Sequence, residues 1–175
     1  MAKSKEFSKK KAAFAFYMKR PPKLPVIIGT GFGAGFWPLG PGTAGAVVAT
    51  AMWLCLHVWL QGWGLVAVVG ALIILFTVLG TWATARLEPF WGEDPQRVVV
   101  DEMVGVWIPL LLASGWQSAL AALVLFRFFD IVKPLGIRSL DRRHGAFWVM
   151  ADDILAGVYS ALVLGIIILV TGWEG

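Results

Sequence analysis

Long hydrophobic runs without any charge divide most of this chain into candidate membrane helices. No Asp, Glu, Lys or Arg occurs from Leu24 to Ala85, and about 20 consecutive apolar residues let a helix cross the hydrocarbon core of a bilayer. Turn residues separate four uncharged segments, which are Ala44–Leu60, Trp63–Ala85, Met103–Phe126 and Ile154–Trp173. The pattern therefore predicts a helical membrane protein rather than a water-soluble fold.

The third uncharged segment carries a turn signal in its middle, the cluster Ala113-Ser114-Gly115-Trp116-Gln117. A single straight helix would separate Asp101 and Asp130, which flank the segment, by about 40 Å. Two short helices folded into a hairpin would instead return both carboxylates to a similar depth. We favour the hairpin, and the predicted fold class is all-α, a polytopic membrane helical bundle with about five helical passes, including a short helical hairpin at residues 103–132.

The charged residues collect at one end of this predicted bundle. With the N-terminus on side one, all 15 Lys and Arg residues fall on that side, as does every acidic residue except Glu174. The opposite connections, at residues 57–64 and 114–118, contain neither Lys nor Arg. Because basic residues are retained on the cytoplasmic side, we expect side one to face the cytoplasm.

Composition agrees with a membrane protein, because 58% of the residues are hydrophobic and 15% charged, against about 25% charged in soluble domains.

We expect one membrane-embedded catalytic domain at residues 24–175. The basic segment 1–23 is either an arm on the cytoplasmic membrane surface or a flexible tail, and its short apolar patch is not typical of a signal peptide. The single cysteine, Cys55, lies in an apolar run and is expected to be a packed small hydrophobe.

A glycine-rich segment precedes the first predicted helix and includes Gly31-Phe32-Gly33-Ala34-Gly35 and Pro41-Gly42-Thr43. Glycine lets backbone N–H groups approach an anion, and the following helix start contributes the positive end of its dipole. Gly33 and Thr43 are therefore candidate phosphate-binding residues. The alternative is close packing of membrane helices through small residues.

Three acidic motifs lie at the same predicted face of the membrane. They are Asp101-Glu102 after the strand-like Val98–Val100, then Arg127-x-x-Asp130-x-x-Lys133-Pro134, then Asp152-Asp153, which we expect to open the last helix. A helix N-cap would explain one acid of each pair. An ion pair at i, i+3 spacing would explain Arg127 with Asp130.

Five carboxylates at one depth repel each other unless a cation lies among them, and charges near a membrane core are costly. We expect a site of one or two divalent ions, and the oxygen-only ligands favour Mg²⁺ over Zn²⁺. The predicted metal ligands are Asp101, Glu102, Asp130, Asp152 and Asp153, of which Asp101, Glu102, Asp130 and Asp153 are also predicted to be catalytic. The predicted phosphate-binding basic residues are Arg127, Lys133, Arg138 and Arg142.

The sequence does not define which group would attack the phosphorus atom. A cysteine phosphatase would need an Arg six positions after its cysteine, where this chain has Gln61 after Cys55. A phosphohistidine at His144 is conceivable. A metal-activated water or an Asp nucleophile remain the two open alternatives.

In order and spacing, these motifs resemble bacterial phosphatidylglycerophosphatase A, a family that removes the terminal phosphate of phosphatidylglycerophosphate to give phosphatidylglycerol. The resemblance runs from about Gly29 to Ser160 and includes Asp101-Glu102-x-Val104-Gly105 and Asp152-Asp153-x-x-Ala156-Gly157. It implies Mg²⁺ dependence, a membrane phospholipid substrate and a multi-pass location in the bacterial inner membrane. A metal-bound water would then attack the terminal phosphorus. The basic N-terminal segment lies outside the resemblance.

The main alternative from another class is a small divalent-cation transporter or channel, because buried carboxylates also mark ion pathways. The sequence disfavours it, since the middles of the predicted helices offer little polarity beyond Thr50 and Thr77. A lipid-binding protein without catalysis would leave the five acids unexplained. No nucleic-acid partner is expected, and the oligomeric state is left open.

Overall fold

The computed structural model describes residues 20–134 and 136–173, which leaves most of the basic segment 1–23 and Glu174 outside the described residues. These residues form seven α-helices and one short 3₁₀ turn, and no strand occurs among them. In chain order the elements are α1 Lys23–Gly29, the turn Ala34–Phe36, α2 Pro41–Trp59, α3 Gly62–Trp91, α4 Val100–Leu110, α5 Trp116–Val132, α6 Ile137–Asp141 and α7 Ala146–Thr171.

Three of these helices, α2, α3 and α7, are long and apolar enough to cross a membrane. The predicted class of helical membrane bundle is confirmed. α2 begins at Pro41 rather than Ala44, because proline fits the first turn of a helix, where its missing N–H has no partner to lose. α3 continues past Ala85 to Trp91, so the charges of Arg86 and Glu88 lie on its last turns rather than in a loop.

The predicted hairpin is confirmed as α4 and α5, joined by a turn at residues 111–115. The Ser118 hydroxyl closes this turn, since its oxygen accepts the backbone N–H groups of Ser114 at 3.0 Å and of Gly115 at 3.1 Å. α5 ends at Val132, as expected for a helix that meets Pro134. The strand-like interpretation of Val98–Val100 is wrong, because Val100 already begins α4.

The start of the last helix is also a correction. α7 begins at Ala146, not at Asp152-Asp153, because residues 146–151 continue its helical pattern and place Met150 in the core. Gly145, with φ of 112°, makes the turn that precedes it. Both acids therefore lie on the second and third turns, where helix capping cannot explain them.

α4 is the central element of the bundle, since it packs against α2, α3, α5 and α7. Most of its residues are buried, including Asp101 in its first turn. The Trp107 indole N–H donates to the Ala49 carbonyl of α2 at 3.0 Å, which ties the two helices together below that turn. The short, buried α4 thus presents its acidic first turn to all of its neighbours at one end of the molecule.

Candidate active site

A cleft of about 740 Å³ opens at the end of the bundle where α2, α4 and α7 begin and where α3 and α5 end. Its walls include residues 40–42 at the start of α2 and part of the loop between α3 and α4. All five predicted metal ligands line this cleft: Asp101, Glu102, Asp130, Asp152 and Asp153. The fold therefore brings together acids that lie far apart in the sequence.

Asp101, Glu102 and Asp153 form the tightest group in the cleft. One carboxylate oxygen from each lies within 4.8 Å of the other two. Asp101 and Asp153 are buried and Glu102 nearly so. Three carboxylates this close repel one another strongly in a medium that water does not screen well. This arrangement fits a bound cation better than three free acids.

Glu102 adds a second observation in favour of a cation. Its Oε2 atom is buried and has no hydrogen-bond partner among the residues described. Its Oε1 atom lies so close to Gly42 that a Cβ atom at position 42 would displace the Glu102 carboxylate. A buried anionic oxygen without a donor is costly, and a hard ion such as Mg²⁺ takes oxygen ligands of this kind.

Arg127 and Asp130 form an ion pair on one face of α5, which is the structural alternative that their i, i+3 spacing offered. The pair does not satisfy the guanidinium, because Arg127 Nε is buried without a partner in the described part of the chain. Asp130 also lies close enough to Glu102 and Asp153 to act on both through its charge. Because Arg127 also lines the cleft, its guanidinium can contact an anion that approaches the acidic group.

Lys133 lies between two carboxylates, Asp141 of α6 and Asp152 of α7. Its Nζ donates to Asp152 at 2.8 Å. Burial lowers the pKa of Lys133, but the hydrogen bonds to Asp141 and Asp152 outweigh it, and the pKa lies above its ordinary value. The ammonium is thus fully charged, and its positive charge offsets the negative charge of Asp152. No such ion pair is found for Asp153 among the described residues.

The predicted phosphate-binding residues divide into two groups. Arg127, Lys133 and Arg142 line the cleft, whereas Gly33, Thr43 and Arg138 do not. Thr43 is exposed on α2, and position 33 faces open space. Arg138 instead points its guanidinium at the Val132 carbonyl, 3.4 Å away. These three residues therefore lie outside the cleft.

Sequence reasoning missed several residues that line the cleft, among them Asp94, Asp141 and Arg143. Asp94 adopts a positive φ of 48° in the turn between α3 and α4, and the Gly92-x-x-Pro95 sequence was the available turn signal. Burial raises the pKa of the Asp94 carboxyl above its ordinary value, and the charge of nearby Lys133 offsets this only in part.

His144, the conceivable phosphohistidine, lies at the mouth of the cleft. Its Nδ1 atom is 2.6 Å from a carboxylate oxygen of Glu93, and both side chains are exposed. This contact connects the loop before α4 with the loop before α7. The neighbouring Arg143 stacks on Trp148, with its guanidinium carbon 4.3 Å from the ring centroid.

A cation pathway would depend on the polar residues Thr50 and Thr77. The hydroxyl groups of both form hydrogen bonds within their own helices. The Thr50 hydroxyl donates to the Ala46 carbonyl at 2.8 Å, and the Thr77 hydroxyl donates to the Ile73 carbonyl at 2.7 Å. The charged side chains of the described residues are instead located at the end of the bundle where the cleft opens. The fold and cleft together define an integral-membrane protein with an acidic site that is also lined by arginine side chains.

The family model of phosphatidylglycerophosphatase A matches residues 27–168, and the chain belongs to this family of phosphatases. It is 38% identical to phosphatidylglycerophosphatase A of Escherichia coli over 142 residues, which are 79% of this chain and 80% of the relative. The corresponding Haemophilus influenzae protein is 37% identical, over 79% of this chain and 85% of its own length. The resemblance inferred from the four motifs is thereby confirmed.

Another similar protein, from Bacteroides thetaiotaomicron, is provisionally named a phosphatidylinositol-3-phosphatase. It is 54% identical over 153 residues, which are 85% of this chain and 96% of the relative. No solved structure matches the chain.

Proposed function

We propose that this protein is a Mg²⁺-dependent lipid phosphatase that hydrolyses the terminal phosphomonoester of phosphatidylglycerophosphate to phosphatidylglycerol and phosphate. The observation that carries the proposal is the group of Asp101, Glu102 and Asp153 beside the incompletely satisfied Arg127. Membership of the phosphatidylglycerophosphatase A family supports the substrate. Family relatives with that activity in their names cover most of the chain.

Asp101, Glu102 and Asp153 would hold the ion, and Mg²⁺ bound there would neutralise these carboxylates and lower the pKa of a water close to the phosphorus. Arg127, which lines the cleft, would bind the phosphate oxygens through its guanidinium. Asp130 both orients Arg127 and provides a carboxylate near Glu102 and Asp153 that can accept the proton of the attacking water. Lys133 would fix Asp152 beside this group.

We further propose that the cleft faces the cytoplasm from a bacterial inner membrane. The basic residues near this end include Arg86, Arg97, Arg127, Lys133, Arg138, Arg142 and Arg143. The connections at the other end, residues 60–61 and 111–115, carry no charged side chain. This asymmetry follows the positive-inside rule. The fatty chains of a substrate would then stay in the inner leaflet while its headgroup enters the cleft.

The direct test is phosphate release from phosphatidylglycerophosphate in detergent micelles by the purified protein. We expect release that stops when a chelator removes divalent ions and resumes when Mg²⁺ is added back. The Asp153→Asn variant should be inactive under both conditions. Undiminished release in the chelator would contradict the metal requirement, and no release under any condition would contradict the substrate.

Phosphatidylinositol 3-phosphate is a second candidate substrate, because the Bacteroides thetaiotaomicron relative has a name that specifies it. Its phosphate is also a monoester on a phospholipid headgroup, so the same residues could act on it. The same assay with both lipids compares their kcat/KM values. A clear preference for phosphatidylinositol 3-phosphate would replace the proposed substrate while leaving the metal site and the residues assigned to it unchanged.

A further inference from the structure

Four large apolar side chains in the segment between α1 and α2 are exposed, although this segment lies outside the candidate membrane-spanning helices. They are Phe32, Phe36, Trp37 and Leu39, and we term them the apolar collar. They occupy the segment between α1 and α2, next to the cleft. Three of the four are aromatic, and aromatic residues are enriched where a membrane meets water.

The collar is held in place by contacts on its inner side. Phe32 and Phe36 pack edge-on against Phe76 and Trp91 of α3, with ring centroids 6.1 Å and 6.5 Å apart. Phe32 keeps a positive φ of 58°, which is unfavourable for a residue with a bulky side chain. The Arg97 guanidinium lies over the Phe36 ring, 5.9 Å from its centroid. The collar is thus a fixed surface rather than a loose loop.

Residues 37–40 separate the collar from the cleft. Pro38 and Gly40 line the cleft, whereas Trp37 and Leu39 do not, and the latter two are 62% and 82% exposed. One side of this short segment therefore faces the polar cleft and the other offers apolar surface.

We infer that the apolar collar binds the acyl-glycerol part of the lipid substrate while its phosphorylated headgroup reaches over residues 38–40 into the cleft. This inference rests on the proposed function, because it assumes that a phospholipid is hydrolysed in the cleft. The collar adjoins the cleft wall, because Trp37 and Leu39 alternate with Pro38 and Gly40 along the chain. Its side chains are apolar, as are the acyl chains of a diacyl lipid. In this arrangement, Trp37 and Leu39 determine which lipids bind and take no part in catalysis.

The test compares two phosphatidylglycerophosphates that differ only in their chains, dioleoyl and dihexanoyl, in mixed detergent micelles. The readout is the ratio of their kcat/KM values. We expect the wild-type protein to prefer the dioleoyl lipid and the Trp37→Ser/Leu39→Ser variant to lose at least about tenfold of that preference, which corresponds to about 1.4 kcal/mol. A loss confined to the ratio cannot come from general misfolding, which would lower both values together.

The matched control is Leu169→Ser/Val170→Ser, which changes two residues that are 84% and 80% exposed near the far end of α7. Its chain preference should equal that of the wild type. The inference is overturned by a wild-type ratio near one, by an unchanged ratio in the collar variant, or by an equal fall in both variants. Absence of hydrolysis of both lipids by the wild type would contradict the proposed function instead.

Discussion

Gly157 of α7 packs so closely on the backbone carbonyl of Gly105 in α4 that a Cβ atom at position 157 would overlap its oxygen. In return, a Cβ at position 105 would meet the carbonyl oxygen of Asp153 at 2.8 Å. Each glycine lies four residues after an acid, Asp101 in α4 and Asp153 in α7, and residues four apart share one helical face. The close crossing of the two helices therefore sets the distance between the two carboxylates.

The first prediction is that Gly157→Ala lowers both stability and activity, because the added methyl group must push α7 away from α4. Overpacking of this kind costs about 1–3 kcal/mol, and about 2–4 °C of Tm per kcal/mol is expected for a chain of this size. The measurements are Tm in detergent and phosphate release from the lipid substrate.

Gly165→Ala is the matched control for this change, because it adds the same methyl group to the same helix. A Cβ at position 165 would lie 3.6 Å from Leu112 Cδ1, an ordinary van der Waals distance. Its Tm and activity should remain close to those of the wild type. Equal effects of the two substitutions would mean that the crossing at Gly157 does not position the acids.

The convergence of Asp101, Asp130 and Asp153 could be predicted from the sequence, because turn residues and uncharged runs report where membrane helices reverse direction. The start of α7 could not. A pair of acids is a strong local signal for a helix N-terminus, and tertiary packing of Met150 overrides it. The hydrophobic pattern thus predicted the bundle better than it predicted the helix ends.

The composition of the cleft wall was harder to predict than its acidic centre. Thr43 and Arg138 have suitable chemistry for phosphate, but which side of a helix faces the cleft depends on the tertiary structure. Asp94 and Asp141 have no helical spacing that relates them to the motifs, and only Lys133 and the cleft bring them together. The sequence of a short polar loop does not indicate which of its side chains face the cleft.

The second prediction concerns metal binding without turnover. Mg²⁺ should raise the Tm of the wild-type protein, because a ligand that binds only the folded state stabilises it, by about 2.7 kcal/mol at one hundred times its Kd. Glu102→Gln should abolish this increase, since it removes a charge from the group with Asp101 and Asp153. Glu93→Gln, at the exposed mouth of the cleft, should retain it. An equal Mg²⁺ effect in the two variants would exclude Glu102 as a ligand.

The third prediction is that Asp130→Asn leaves a folded protein with activity reduced by at least about 100-fold, a typical cost of removing one group that stabilises a transition state. The substitution removes the partner of Arg127 and the charge next to Glu102 and Asp153. Phosphate release and far-UV circular dichroism report activity and folding separately. Near-normal turnover in a folded variant would place Asp130 outside the catalytic group.

The fourth prediction is that Lys133 is coupled more strongly to Asp152 than to Asp141. The Asp152 side chain is 8% exposed and the Asp141 side chain 34%, so water screens the second pair better. Double-mutant cycles with Lys133→Gln, Asp152→Asn and Asp141→Asn measure both coupling energies from protein stability. We expect about 1–3 kcal/mol for the buried pair and about 0.2–1 kcal/mol for the exposed one.

This comparison also separates two roles for Lys133. If the ammonium mainly fixes Asp152 beside the proposed metal ligands, Asp141→Asn should leave phosphate release close to the wild-type rate, whereas Lys133→Gln should reduce it strongly. Asp141 would then tie α6 to the cleft with little effect on catalysis, since its contact with Lys133 lies nearer to solvent. Coupling to Asp141 that equals or exceeds coupling to Asp152 would contradict this assignment, because the ammonium would then be held chiefly by the more exposed acid.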